Sequence, residues 1–123
     1  MKITHKSDVT HIVKPEGTSV DYYLFNEYEI HYNEQAPKTT QTWHHHEKLW
    51  ETLFIIEGEL TAKWREGDNE KEEILKAGDL VETERTPHTF INNTDKTVKF
   101  LVFKHMPQGK DFREIFKTDK ILD

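Results

Sequence analysis

Short stretches rich in β-branched and aromatic residues alternate along the chain with short polar stretches that contain turn-forming residues. This pattern predicts an all-β sandwich or barrel. Nine strands are expected, at 19–25, 27–32, 39–46, 51–56, 60–65, 72–75, 80–83, 88–92 and 97–105. No linker, repeat or low-complexity segment interrupts them, so we expect one domain over 1–123, with a barrel core at about 19–106.

The period changes after the last predicted strand. Phe112, Ile115 and Phe116 recur at helical spacing, which predicts one short amphipathic helix at about 110–118. We expect this helix to lie on the outside of the barrel and to cover apolar surface there.

Some strands are apolar on both faces. Leu53 and Ile55 share one face of their strand, while Phe54 and Ile56 share the other, and the strand at 97–105 has the same character. A half-solvated strand would show one polar face. The C-terminal helix, a second sheet or another subunit must therefore cover the outside, and we favour a homodimer because large exposed apolar patches are uncommon on monomers.

The composition narrows the classes of partner. The formal net charge is −6 and no basic cluster offsets it, which argues against nucleic acid. No apolar run is long enough to span a bilayer and no secretory signal is visible, so no membrane partner is expected. The chain has no cysteine, which excludes disulfides and thiolate metal sites and fits a cytoplasmic location.

The segment Trp43-His44-His45-His46-Glu47-Lys48-Leu49-Trp50-Glu51 carries the clearest chemical signal. On a strand, residues two apart point to the same side, so His44 and His46 present two imidazoles to one face. A bend after them can bring the Glu51 carboxylate beside the rings, and antiparallel pairing can deliver a third imidazole from His88.

Three imidazoles and one carboxylate suit divalent iron, manganese, nickel, copper or zinc. Four ligands on a six-coordinate ion leave two adjacent positions for water, dioxygen or substrate. The stretch beginning at His46 resembles the start of a zincin helix, but Trp50 stands where the second histidine must be. Two readings stay open: a facial triad without His88, and a surface histidine cluster with no ligand role. The other histidines are interpreted as surface or packing residues: His5, His11, His31, His45 and His105.

The full spacing resembles the first motif of the cupin superfamily, whose small single-domain members bind metal. That motif has two histidines flanking one residue, then a glutamate and a glycine, here His44, His46, Glu51 and Gly58 with four and six residues in the later gaps. The glycine that usually begins the motif is replaced by Lys38.

The second cupin motif is matched by Gly78, His88 and Asn92. The segment from Gly78 to His88 is one residue shorter than usual, and Glu84 and Thr86 stand where the family has proline and glycine. The resemblance implies a cupin double-stranded β-helix, or jelly-roll barrel, that holds one metal ion through His44, His46, Glu51 and His88 and is frequently dimeric. It also implies a structural role for Asn92, but it does not imply one reaction.

Strand parity predicts which residues line a substrate pocket beside these ligands. The predicted set is mainly apolar and aromatic, so an apolar or aromatic small molecule is expected to bind: Thr42, Leu53, Ile55, Phe90, Phe100, Tyr32 and Trp64. Such a site favours a metal-dependent oxidoreductase of dioxygenase type, in which Glu51 stays a ligand or serves as a base. The alternatives are a metal-dependent isomerase or lyase, with a base such as His31 or Tyr32, and a non-enzymatic small-molecule-binding cupin.

Overall fold

Ten antiparallel strands and one short helix form the fold in the computed structural model, which describes every residue from Met1 to Asp123. A 3-10 turn at Lys6–Asp8 comes first. The strands are β1 (Thr10–Val13), β2 (Thr18–Leu24), β3 (Tyr28–Gln35), β4 (Thr39–Thr40), β5 (Trp50–Glu57), β6 (Glu59–Glu66), β7 (Asn69–Lys76), β8 (Leu80–Glu82), β9 (His88–Asn92) and β10 (Val98–His105), and the helix is α1 (Arg113–Thr118).

The strands form two sheets. One sheet has six strands in the order β1-β2-β3-β10-β5-β8, and the other has four in the order β4-β9-β6-β7. Strands that are adjacent in a sheet are often distant in sequence, as with β3, β10 and β5. This arrangement confirms the predicted all-β jelly-roll barrel with one short C-terminal helix.

The core lies between the sheets, where the two-residue period of each strand directs every second side chain inward. In β10, Val98, Phe100 and Val102 are buried, while the alternating Phe103 is 38% exposed. The inward residues form one apolar cluster of Leu53, Ile55, Leu60, Ala62, Leu75, Phe90, Val98, Phe100 and Val102.

The hairpin between β5 and β6 depends on Gly58. Its φ is +92°, and a Cβ atom there would lie 3.3 Å from the Cα of Val98. Because the positive φ strains a residue with a side chain and the approach to Val98 is tight, this turn favours glycine. The glycine at the end of the first motif therefore has a backbone role.

The predicted strand at 39–46 is mostly irregular. Only Thr39–Thr40 forms a strand, paired with Ile91 and Asn92 of β9, and the pairing resumes at an isolated bridge between His44 and His88. Between these two pairings the chain advances four residues on this segment, from Thr40 to His44, but only three residues on β9, from Ile91 to His88. The extra residue makes a bulge, and it moves His44, instead of Trp43, opposite His88.

The C-terminal helix forms where it is predicted, but it does not cover the barrel. It has six residues, none of them buried. Ile115 is 56% exposed and Phe116 is 81% exposed. A helix of about 9 Å is too short to span the width of a sheet, so the expectation that it covers apolar surface is wrong. No helix of the structure has the length and apolar character of a membrane span.

Candidate metal centre

Both sheets and the bulged segment contribute side chains to one cluster. Glu51 lies in β5 of the six-stranded sheet, and His88 begins β9 of the four-stranded sheet. His44 and His46 come from the segment between β4 and β5. The Nε2 atoms of His46, His88 and His44 lie 3.1, 3.6 and 4.0 Å from the nearest carboxylate oxygen of Glu51.

These separations suit a shared metal ion. Two ligands that each bind at about 2.1 Å lie roughly 3 to 4 Å apart around a four- or six-coordinate ion. The ring centroids of His44 and His88 are 4.5 Å apart, and those of His44 and His46 are 5.5 Å apart. The four residues therefore form a possible metal site.

The backbone orients two of the rings for coordination. Nδ1 of His88 lies 2.7 Å from the carbonyl oxygen of Thr86, and Nδ1 of His44 lies 2.8 Å from that of Thr42. Because a carbonyl oxygen only accepts, each Nδ1 donates its proton and each Nε2 keeps a lone pair. Metal-bound histidines almost always have such a partner on the other ring nitrogen.

The Nε2 atom of His88 supplies the strongest sign that an ion fits. His88 is 4% exposed, and its Nε2 is buried without a hydrogen-bond partner. A buried polar atom of this kind costs free energy unless something satisfies it. A metal ion placed between His88 and Glu51 would satisfy it.

The charges of the site also favour a cation. Burial tends to raise the pKa of Glu51, but the contacts with His88 and with the Lys104 and His46 charges prevail and lower it to about 2. Burial lowers the pKa of His46. At neutral pH the site therefore offers a carboxylate and a neutral imidazole, which are the forms that bind metal.

A cavity of about 410 Å³ opens beside the cluster. Three of its fourteen lining residues are apolar, namely Leu53, Phe100 and Val102. The other eleven lining residues are polar: Lys14, Glu16, Thr18, His31, Asn33, Gln41, Thr42, His44, His46, Glu51 and Lys104. We call this space the polar cavity. The expectation of an apolar and aromatic lining is wrong for it.

The predicted pocket residues separate into four places. Thr42, Leu53 and Phe100 line the polar cavity. Phe90 and Trp64 line a second cavity of about 290 Å³, together with His88.

The other two predicted pocket residues reach neither cavity. Ile55 is fully buried in the core. Tyr32 lies on the outer face of the six-stranded sheet, where its hydroxyl donates to Glu34. Burial and the Glu34 carboxylate raise the pKa of Tyr32 to about 12, which does not suit a base. Tyr28 and Ile30 lie on the same outer face of β3 as Tyr32, because the alternate residues of this strand are the buried ones.

Seven polar residues of the cavity lie outside the predicted site: Lys14, Glu16, Thr18, His31, Asn33, Gln41 and Lys104. His31, predicted as a surface or packing residue, is 7% exposed and faces inward with Asn33. Thr18 and Lys104 join them from β2 and β10. Val98, Phe100 and Val102 face inward at every second position of β10, and Lys104 continues this alternation. Strand parity could therefore have predicted that Lys104 faces the cavity. The inward residues of β3 are polar, which reverses the usual pattern of apolar residues inside. The sequence pattern therefore does not reveal which face of this strand points inward.

Comparison with solved structures gives the same fold. An oxalate decarboxylase variant from Bacillus subtilis has a TM-score of 0.71 at 16% identity, over 81% of this chain and 28% of that protein. The polyketide cyclase RemF from Streptomyces resistomycificus has a TM-score of 0.70 at 21% identity, over 85% of this chain and 79% of RemF. Drosophila melanogaster CENP-C bound to CAL1 has a TM-score of 0.71 at 16% identity, over 85% of each chain. This chain spans less than a third of the oxalate decarboxylase.

The sequence itself identifies the family. A search of the curated proteins found no match. The family model described as the Cupin domain matches residues 31–104, which is more than half of the chain and includes all four donor residues. The chain therefore belongs to the cupin family.

Proposed function

We propose that this cupin is a metal-dependent enzyme that acts on a small organic molecule as an oxidoreductase of dioxygenase type. The observation that carries the proposal is the placement of His44, His46 and Glu51 in the wall of an accessible cavity, with His88 behind them. A site that only stabilised the fold would be enclosed by protein groups. Here the donors have protein on one side and open space on the other.

His44, His46, Glu51 and His88 would hold the ion. When bound, a divalent metal of variable valence supplies a Lewis acid and an electron acceptor at a point that both substrate and dioxygen can reach. The candidates remain iron, manganese, nickel, copper and zinc, of which zinc is inert to redox change. Leu53, Phe100 and Val102 form an apolar side of the cavity next to Glu51 and limit the water that surrounds it.

Metal stoichiometry tests the ligand set first. We expect one ion per chain in the wild type and none in His46→Ala or Glu51→Gln, measured by elemental analysis of protein purified without a histidine tag. His45→Ala is the matched control, because His45 is exposed between two ligands and should leave the stoichiometry unchanged. Full metal content in both ligand variants would contradict the assignment.

Oxygen consumption tests the reaction. Protein loaded with iron, manganese, nickel or copper is mixed with small carboxylates, phenols and β-diketones, and uptake is followed with an oxygen electrode. Uptake with at least one metal, and none with the zinc-loaded protein, is the expected result. No uptake with any metal would remove the dioxygenase proposal.

One observation favours a second candidate, a metal-dependent isomerase or lyase. Nε2 of His31 lies 2.9 Å from Oε1 of Glu29, and the ring lines the polar cavity. Burial lowers the pKa of His31, which keeps its imidazole neutral at physiological pH. A neutral imidazole oriented by a carboxylate is a suitable general base.

Hydrogen exchange distinguishes this candidate from the first. In D₂O without oxygen, an isomerase would exchange a carbon-bound proton of its substrate, and NMR would detect the loss of signal. His31→Gln should abolish the exchange while metal content stays at one. If neither exchange nor oxygen uptake occurs in metal-loaded protein, a small-molecule-binding cupin without catalysis is the remaining function.

The assembly and location belong to the same proposal. We expect a homodimer in the cytoplasm, supported by the apolar outer face of the six-stranded sheet, where Phe54 is 42% exposed and Phe103 is 38% exposed. The lack of cysteine fits a reducing compartment.

A further inference from the structure

The wall of the polar cavity also contains two buried polar atoms that the protein leaves without partners. They are Oγ1 of Thr18 and Oδ1 of Asn33. Thr18 is 2% exposed and Asn33 is 7% exposed. Both residues line the cavity. Buried hydroxyl and amide oxygens are costly when unpaired, so two such atoms in one wall indicate a ligand that carries hydrogen-bonding groups.

A lysine supplies the second half of the site. In the strand register, Lys104 of β10 lies between Glu51 of β5 and Glu29 of β3, and its side chain is 22% exposed. Its Nζ lies 3.5 Å from Oε2 of Glu51. The charged side chains that line the cavity, Lys14, Glu16, Glu51 and Lys104, balance one another, so a bound divalent ion would leave the cavity with a net positive charge. An anionic group of a ligand would offset that charge.

From these two features we propose that the substrate is a small hydroxylated carboxylic acid. Its carboxylate binds at the end formed by Lys104 and the metal donors, and its hydroxyl groups bind Thr18 and Asn33. The carboxylate-binding half of this inference rests on the proposed function, because it needs the bound ion. The half that binds hydroxyl groups does not depend on the ion. A cavity of about 410 Å³ has the size of a small-molecule site.

Matched ligands test the two halves separately. We would use two sets of ligands, each with a hydroxylated acid, the acid without hydroxyl groups and a neutral polyol. The first set is glycerate, propionate and glycerol, and the second set is gluconate, hexanoate and glucitol. Calorimetry measures their binding to zinc-loaded and metal-free protein, since zinc permits binding without redox turnover. In at least one set, the hydroxy acid should bind at least about tenfold more tightly than either of its two analogues. Such a difference in affinity corresponds to the loss of roughly one hydrogen bond to the ligand.

Variants assign the contributions. Lys104→Met should weaken the binding of both acids about tenfold, leave the polyol unchanged and keep one zinc per chain. Lys99→Met is the control, because Lys99 lies on the outer face of the same strand and pairs with Glu57. Thr18→Val and Asn33→Leu should weaken the hydroxy acid and the polyol but not the plain acid. Thr18→Val should also keep or raise the melting temperature, because its buried hydroxyl bonds nothing in the protein.

Two outcomes would overturn the inference. One is equal binding of the hydroxy acid and its plain analogue in both sets, and the other is no binding of either acid to zinc-loaded protein. The preference for hydroxyl groups is measured in metal-free protein as well. Failure to bind metal would therefore refute the proposed function while this preference persists, and loss of the preference alone would refute the inference.

Discussion

At the scale of single residues, the charge state of Glu51 and His46 makes the metal-free protein sensitive to acid. The pKa of Glu51 is lowered to about 2 in the fold by His88, Lys104 and His46 against the opposing effect of burial, and burial lowers that of His46. Both groups bind more protons in the unfolded chain, so stability falls as the pH falls. His46 contributes to this loss of stability below about pH 6.5, and Glu51 contributes between pH 4.5 and about 2.

Thermal unfolding of metal-free protein across this range gives the check. We expect the loss of stability between pH 4.5 and 2 to amount to about 3 kcal/mol from Glu51. Glu51→Gln should flatten the profile in that window, whereas Glu57→Gln, at an exposed site on the same strand, should not. A profile that Glu51→Gln leaves unchanged would show that the carboxylate is not stabilised by its neighbours.

Lys38 adopts the backbone conformation that its position requires of glycine. It occupies the place of the glycine that usually begins the first cupin motif, and its φ is +56°. Its Nζ lies 2.6 Å from the carbonyl oxygen of Asn93, which compensates part of the strain. A left-handed dihedral costs a residue with a side chain about 1–2 kcal/mol.

This strain is measurable by comparing two substitutions. Lys38→Gly and Lys38→Ala both lose the contact with Asn93, but only glycine relieves the dihedral. We expect the glycine variant to be more stable than the alanine variant by about 1 kcal/mol in urea unfolding. Equal stabilities would mean that the turn relaxes to another conformation.

The ligand residues were predictable from the sequence because their spacing is fixed by a motif. The lining of the polar cavity was harder to predict. In β3 the tyrosines and Ile30 look like the inward set, yet His31 and Asn33 face the cavity. The usual assignment of apolar residues to the inside fails where the inside is a polar binding site and the outside is apolar.

At the scale of elements, Asn92 joins the end of β3 to the turn between β9 and β10. Its Nδ2 lies 2.8–3.1 Å from the carbonyl oxygens of Gln35, Ala36 and Lys96, and its Oδ1 accepts from Thr94. Because it is fully buried, these bonds have no competition from water. The asparagine of the second motif therefore has the structural role that the family resemblance implies.

Its removal should destabilise the fold without affecting the metal. Asn92→Ala leaves buried carbonyl groups without donors, and we expect a loss of about 2–4 kcal/mol in the free energy of unfolding. The adjacent Asn93→Ala is the control, because Asn93 is exposed and makes one long bond of 3.3 Å to Thr61. If the Asn92 variant folds as stably as this control, the network carries little stability.

Most strands were predictable at this scale because hydrophobic periodicity and turn residues mark them. The segment before His44 was not, because an extra residue on one side of a pairing leaves no mark in a single sequence. The exposed strand β1 escaped prediction for a different reason. It is a short edge strand with no buried residue, so it has no apolar pattern to detect.

At the scale of the whole molecule, the outer face of the six-stranded sheet predicts the oligomeric state. Ile30, Leu101 and Phe103 lie on this face beside Phe54 and Leu80, and the helix α1 does not cover them. Burying such a face against a second copy removes apolar surface from water at about 25 cal/mol per Å².

Light scattering after size-exclusion chromatography measures the mass in solution. The wild type should elute as a dimer, and Phe54→Lys should shift it to a monomer by placing a charge in the interface. Ile74→Lys is the control, because Ile74 is 54% exposed on the other sheet. A wild-type monomer would contradict the proposal.

The metal donors come from both sheets, and this arrangement links the supply of metal to the lifetime of the protein. An ion held by Glu51 and His88 would cross-link the two sheets, and its binding free energy would add to the free energy of unfolding by about 4 kcal/mol at a thousandfold excess over the dissociation constant. In cells starved of the metal, the chain would open more often and be degraded faster by proteases. Its abundance would then follow the availability of the ion without any change in synthesis.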